Sequence, residues 1–143
     1  MSTVLALHFG FATIWLGCVV TEALFERALL AGDRSAHLTL ADLHVRVDKF
    51  IEVPAILVVL MTGVWMWSNT TPTGTSFYVM LVSGLVAITA NFYCVLLVFK
   101  RRDAAHSKNW DKFDHLDHLQ HKVGAFVLLG LLVALVSGVV GKA

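Results

Sequence analysis

The chain has 143 residues, 57% of them hydrophobic and 15% charged, with a formal net charge of +1 and a mean hydropathy of +0.75. That is more apolar than a soluble core of one domain needs, and it carries no phosphate-loop or nucleic-acid signature. Two cysteines, Cys18 and Cys94, each inside an apolar run, do not make a disulfide framework. The expectation is an all-α integral membrane protein, a single four-helix transmembrane domain covering residues 1–143.

Four apolar runs, residues 3–25, 50–67, 77–99 and 123–140, are 18 to 23 residues long. That is about the length a helix needs to cross a bilayer, and backbone groups in lipid must bond within the segment. With their polar extensions the spans are expected over residues 3–27, 44–67, 77–102 and 114–140. The first lacks a basic leader region and runs on into TEALFERALL, so it reads as a retained helix. It carries His8 near its start, then Trp15 and Cys18, then Glu22 and Glu26 one turn apart. The second is led by His44, Asp48 and Glu52, an i, i+4, i+8 ladder within about 80° of arc. The uncharged connection SNTTPTGTS follows, with Pro72 and Gly74 as its turn residues. The third span puts Asn91 and Cys94 on one face and ends in KRRD. Before the fourth apolar run stands FDHLDHLQHKV, in which Asp114, Asp117, His118 and His121 fall within about 100° of helical arc, with His115 beside His118.

The other two connections hold nearly all the charge. Arg27, Arg34, Arg46 and Lys49 lie in or beside the first, and Lys100, Arg101, Arg102, Lys108, Lys112 and Lys122 in or beside the second. The positive-inside rule places both in the cytoplasm and the two termini outside, in what we expect to be a bacterial inner membrane. All ten acids and six of the seven histidines lie on that same side, which the rule does not require.

Counted from the helix ends, Glu22, Glu52 and His121 come to a similar depth, at the inner edge of the hydrocarbon. Helical bundles build metal sites from carboxylates and imidazoles on facing helices in this way. The candidate ligands are His118, His121, His44, Asp48, Glu52, Glu22 and Asp114, with Glu26, His115 and Asp117 as supporting or alternative ligands. A mixed His and carboxylate set suits a divalent ion such as Zn, Fe or Mn. The same residues also fit a solvated, salt-bridged helix end, a buried pair with Lys49 or Lys122, or a proton path. His8 stands apart in the outer half, where Met61, Met66 and Met80 would permit a His/Met haem b or copper site.

LHFGFATIWLG (residues 7–17) resembles the first helix of CopD-like and HemJ-like four-helix membrane proteins, in which an early His is followed by Trp and Gly. PAILVVLMTGVW (residues 54–65) is similar to the corresponding second helix of HemJ-like proteins. The resemblance covers the first half of the chain. It implies porphyrinogen oxidation with bound haem, or copper handling at the membrane, with His8 as the residue carried over. The second half lacks the HemJ-like Lys, His and Asn-Glu-x-Pro positions. Three functions are thus expected as alternatives: a metal-binding membrane protein, with or without oxidoreductase activity; a haem-binding porphyrinogen oxidoreductase; or an accessory subunit of a larger membrane complex. The expected partners are the lipid bilayer and a second copy or a larger complex, with no nucleic acid.

Overall fold

The computed structural model describes residues 3–29, 31–71 and 74–141, so Pro72 of the expected turn lies outside them. The elements are α1 (Thr3–Leu29), α2 (Arg34–Val47), a π turn (Asp48–Glu52), α3 (Val53–Asn69), α4 (Thr75–His106) and α5 (Trp110–Val140). α2, the π turn and α3 form one continuous rod, so the chain makes a bundle of four helical spans, each long and apolar enough to cross a membrane.

The helices exceed the expected spans at the charged end, because capping residues start them before the apolar pattern does. Asp33 caps α2, its carboxylate accepting the Ala36 N–H at 3.0 Å. That amide holds the exposed Asp33 carboxyl below the usual carboxylate range. Asn109 caps α5 in the same way, accepting the Lys112 N–H at 3.2 Å. Between α4 and α5 the Asn109 N–H bonds the Ala104 carbonyl at 2.9 Å and the Lys108 N–H bonds that of Ala105 at 3.1 Å. This is a Schellman closure, with Lys108 in the left-handed position at φ 56° where glycine is usual.

The π turn has a cause in the sequence. Pro54 has no N–H to offer the carbonyl four residues back, and its ring crowds that carbonyl. The backbone relaxes to a wider turn, in which the Val53 N–H reaches the Asp48 carbonyl. In an α-helix Asp48 and Glu52 would drift about 40° apart in angle. Underwinding opposes that drift and keeps both on the inward face, where they are buried.

α4 and α5 form the tightest pair in the bundle. Gly130 permits it, since a Cβ there would stand 3.2 Å from both the Ala87 Cβ and the Ser83 carbonyl oxygen. α1 packs on α3 and α5, and α2 on α4, while the backbones of α3 and α4 stay further apart. One core cluster centres on Trp15, Ala55, Ile56, Ala87, Val127 and Leu131. A second, at the charged end, joins Ala41, Leu97, Ala104, Ala105, Phe113 and Leu116. Large apolar side chains such as Phe50, Met61 and Phe126 are more than two-thirds exposed, as a surface facing lipid requires.

Candidate functional site

Glu22 and Glu26 on α1, His44 on α2, Asp48 and Glu52 on the π turn, Arg101 on α4, and Asp117, Gln120 and His121 on α5 converge at one level of the charged end. Five carboxyl groups thus face one guanidinium and two imidazoles. Even with both imidazoles charged, two negative charges stay unbalanced in surroundings where unpaired charge is costly.

His44 stands at the centre and is buried. Its Nε2 lies 3.1 Å from Glu22 Oε2 and 3.8 Å from Asp48 Oδ1, and its Nδ1 lies 3.0 Å from Glu26 Oε1. Arg101 Nη2 approaches the same Nδ1 at 3.1 Å. A neutral imidazole can meet this setting in two ways. It can donate Nε2–H to Glu22 and accept from Arg101 at Nδ1. Alternatively it donates Nδ1–H to Glu26 and turns the Nε2 lone pair toward Glu22 and Asp48, the carboxylate–histidine arrangement of many metal sites. Ligand atoms of Glu22, His44 and Asp48 all lie within 4.8 Å of one another. Tetrahedral ligands on an ion such as zinc stand about 3.4 Å apart at ordinary bond lengths. The two distances from Nε2 bracket that value.

Glu26 organises the second layer. Its Oε1 accepts from Arg101 Nη1 at 2.9 Å and from Gln120 Nε2 at 2.9 Å. His121 Nε2 lies 3.0 Å from Glu26 Oε2, within ion-pair distance but not aligned as a hydrogen bond. Arg101, fully buried, also pairs with Asp117. Below this layer the Trp15 indole N–H is shared between Glu52 Oε1 at 3.1 Å and Asn91 Oδ1 at 3.2 Å. Several buried polar atoms have no hydrogen-bond partner among the described residues, including Glu22 Oε1, Asp48 Oδ2 and Asn91 Nδ2. The Glu22, His44 and Asp48 side chains line a chamber of about 240 Å³ that reaches from Glu52 and Asn91 to Gln120 and Gly124.

Seven residues expected at the site are therefore brought together: Glu22, Glu26, His44, Asp48, Glu52, Asp117 and His121. His115 and His118 are exposed on α5 and lie outside the cluster. Asp114 is drawn off by Arg34, which donates to both its oxygens at 2.7 and 3.0 Å. The reason is rotation: the inward face of α5 is set by Phe113, Leu116 and Gln120, which turns His118 away while Asp117 and His121 keep its edge. Lys49 and Lys122 are exposed, and the buried cation is Arg101. Arg101, Gln120, Asn91 and Trp15 were not foreseen as one network. The signal for Arg101 was its place one helical turn beyond Leu97 and Val98 on the buried stripe of α4.

His8 lies far from this cluster, its Nδ1 2.9 Å from Thr62 Oγ1 on α3. Met66 and Met80 line the same apolar cavity, whereas Met61 points outward.

Comparison of the chain with protein-family models, with curated proteins and with solved structures finds no match. The site is thus interpreted on its own geometry.

Proposed function

We propose that this integral membrane protein binds a divalent metal ion at the charged end of its bundle, with Glu22 Oε2, His44 Nε2 and Asp48 as the protein ligands. The observation that carries the reading is the convergence of three donor groups from α1, α2 and the π turn, with Glu22 Oε1 and Asp48 Oδ2 buried and lacking hydrogen-bond partners among the described residues. Loading an ion on Nε2 selects the tautomer in which Glu26 holds Nδ1–H. Glu26 is itself fixed by Arg101 and Gln120, so the imidazole is oriented in advance. One nitrogen and two carboxylates suit Zn, Fe or Mn. The ion would neutralise the surplus negative charge and supply Lewis-acid or, for Fe or Mn, one-electron chemistry beside the chamber.

Elemental analysis of the purified, detergent-solubilised chain tests this. Close to one equivalent of Zn, Fe or Mn is expected in the wild type, falling well below half in Glu22→Gln, His44→Ala and Asp48→Asn and unchanged in His118→Ala. Full occupancy in the first three, or no metal in any preparation, sinks the assignment.

The surplus of five carboxyls over one guanidinium and two imidazoles favours a second reading, in which the cluster holds protons instead of an ion. It predicts a metal-free protein whose infrared spectrum shows a protonated carboxyl band that Asp48→Asn removes. The CopD-like and HemJ-like kinship remains a proposal resting on the stretches LHFGFATIWLG at residues 7–17 and PAILVVLMTGVW at residues 54–65.

A further inference from the structure

The rod formed by α2, the π turn and α3 carries a second polar feature on its outer side, where it faces α4. An open cavity of about 280 Å³ is lined there by Asp42, Arg46, Lys49 and Phe50 of the rod and by Phe99 and Arg102 of α4. The π turn divides its side chains between this cavity and the polar cluster. Asp48 and Glu52 are buried toward the cluster, whereas Lys49 is exposed and Phe50 is 69% exposed.

Charge is the first constraint on what the cavity takes. Three basic side chains meet one carboxylate, and that carboxylate is already engaged: Asp42 Oδ1 accepts from Arg102 Nε at 2.7 Å and lies 2.9 Å from His106 Nε2. Among the described residues neither Arg46 nor Lys49 has a carboxylate partner. Lys49 Nζ stands instead 5.5 Å from the centroid of the Phe50 ring. At about 100° per residue, Asp42, Arg46, Lys49 and Phe50 share one face of the rod, so the two cations without a counter-ion stand side by side.

Depth is the second. Phe50 opens the second apolar run and Phe99 closes the third, so the two rings mark the edge of the hydrocarbon on neighbouring spans. From Asp42 to Phe50 the rod advances about 12 Å at 1.5 Å per residue, and over that distance the lining passes from charged to aromatic. A soluble anion matches only the charged part, and a hydrocarbon chain only the aromatic part. A lipid with a negative head group matches both. A zwitterionic head group would carry its ammonium up to Arg46 and Lys49, where like charges repel. Arginine and lysine are the usual partners of phosphate oxygens.

We propose that this cavity binds the phosphodiester head group of an anionic glycerophospholipid from the leaflet at the charged end. The phosphate lies between Arg46 and Lys49, with Arg102 beside it held in place by Asp42. The acyl chains run past Phe50 and Phe99 along the outer surfaces of α3 and α4. The site is independent of any ion in the polar chamber.

The test is intact-complex mass spectrometry of the full-length protein in detergent, titrated with dioleoylphosphatidylglycerol or with dioleoylphosphatidylcholine. One phosphatidylglycerol is expected to bind at least about tenfold more tightly than phosphatidylcholine. Arg46→Gln combined with Lys49→Gln should abolish that preference, and both side chains are exposed, so the fold does not depend on them. Lys108→Gln combined with Lys112→Gln removes the same charge from exposed positions outside the cavity and should leave the preference intact. A phosphatidylglycerol with a diazirine in its acyl chain supplies a readout on the wild type that needs no variant, and it should label Phe50, Phe99 or their immediate neighbours. Equal binding of the two lipids, a preference that survives in the Arg46 and Lys49 double variant, equal loss in both double variants, or labelling elsewhere overturns the proposal. Full competition by equimolar glycerol 3-phosphate does too, because a soluble anion would then be the occupant.

Discussion

Arg101 is the permanent cation of the polar cluster, and it is held with no exposure between Glu26 and Asp117. Truncating one partner of a buried ion pair leaves the other charge uncompensated, at a cost of about 3–5 kcal/mol. Arg101→Met is therefore expected to lower the thermal unfolding midpoint by many degrees in detergent. Adding Glu26→Gln should restore part of the loss, because it removes the charge left stranded; strict additivity of the two changes would mean that the pair does not act as a unit. At this scale the sequence was legible where a charge interrupts an apolar run. Glu22 and Glu52 stood out for that reason, and both face the cluster. Arg101 did not, because it sits in a basic run, KRR, whose other members are explained by orientation in the membrane. Which of three neighbouring basic residues turns inward depends on the rotation of α4, and that rotation is fixed by Gly130 and Ala87 in another part of the bundle.

At the scale of elements, the site depends on a local defect. Pro54 forces the wider turn that keeps Asp48 and Glu52 on one inward line, so Pro54→Ala allows the rod to return to regular α-helix. The expected outcome separates two quantities: thermal stability unchanged or raised, and metal content reduced relative to wild type. Retained stoichiometric metal would show that the π turn does not position the ligands. The connection between α4 and α5 gives a converse case. Lys108 occupies a left-handed position that costs a side-chain-bearing residue roughly 1 kcal/mol relative to glycine, so Lys108→Gly should raise the unfolding midpoint by a few degrees without altering the site. Element existence and order were legible from run length and hydropathy alone. Starting points were not, since Asp33 and Asn109 act through single side-chain bonds that periodicity does not register. The face of α5 was half legible: an arc of about 100° was right in width, but it was centred on polar residues, whereas Phe113, Leu116 and Gln120 decide which side is buried.

For the whole molecule the distribution of polarity sets the arrangement in a membrane. Four spans bring the two ends of the described chain to the same side, while the connections at residues 31–33 and 107–109 lie together at the opposite, charged end. The polar cluster sits just inside that end, and the apolar cavity lies in the other half, beyond the core cluster of Trp15, Ala55, Ile56 and Val127. Basic residues near span ends favour the cytoplasmic side, so the connection at Ser107 should be cytoplasmic and that at Thr70 external. Single-cysteine labelling checks this in a background where Cys18 and Cys94 are replaced by alanine. A membrane-impermeant maleimide added to intact cells should modify Thr70→Cys and not Ser107→Cys, and permeabilisation should expose the second. Labelling of both from outside would exclude a membrane crossing by α4, and the reverse pattern would invert the orientation. The result also bears on the site. With Ser107 inside, the ion proposed for the chamber lined by Glu22, His44 and Asp48 would come from the cytoplasm, so depleting cytoplasmic metal during growth should lower occupancy, whereas chelators confined outside the cell should not.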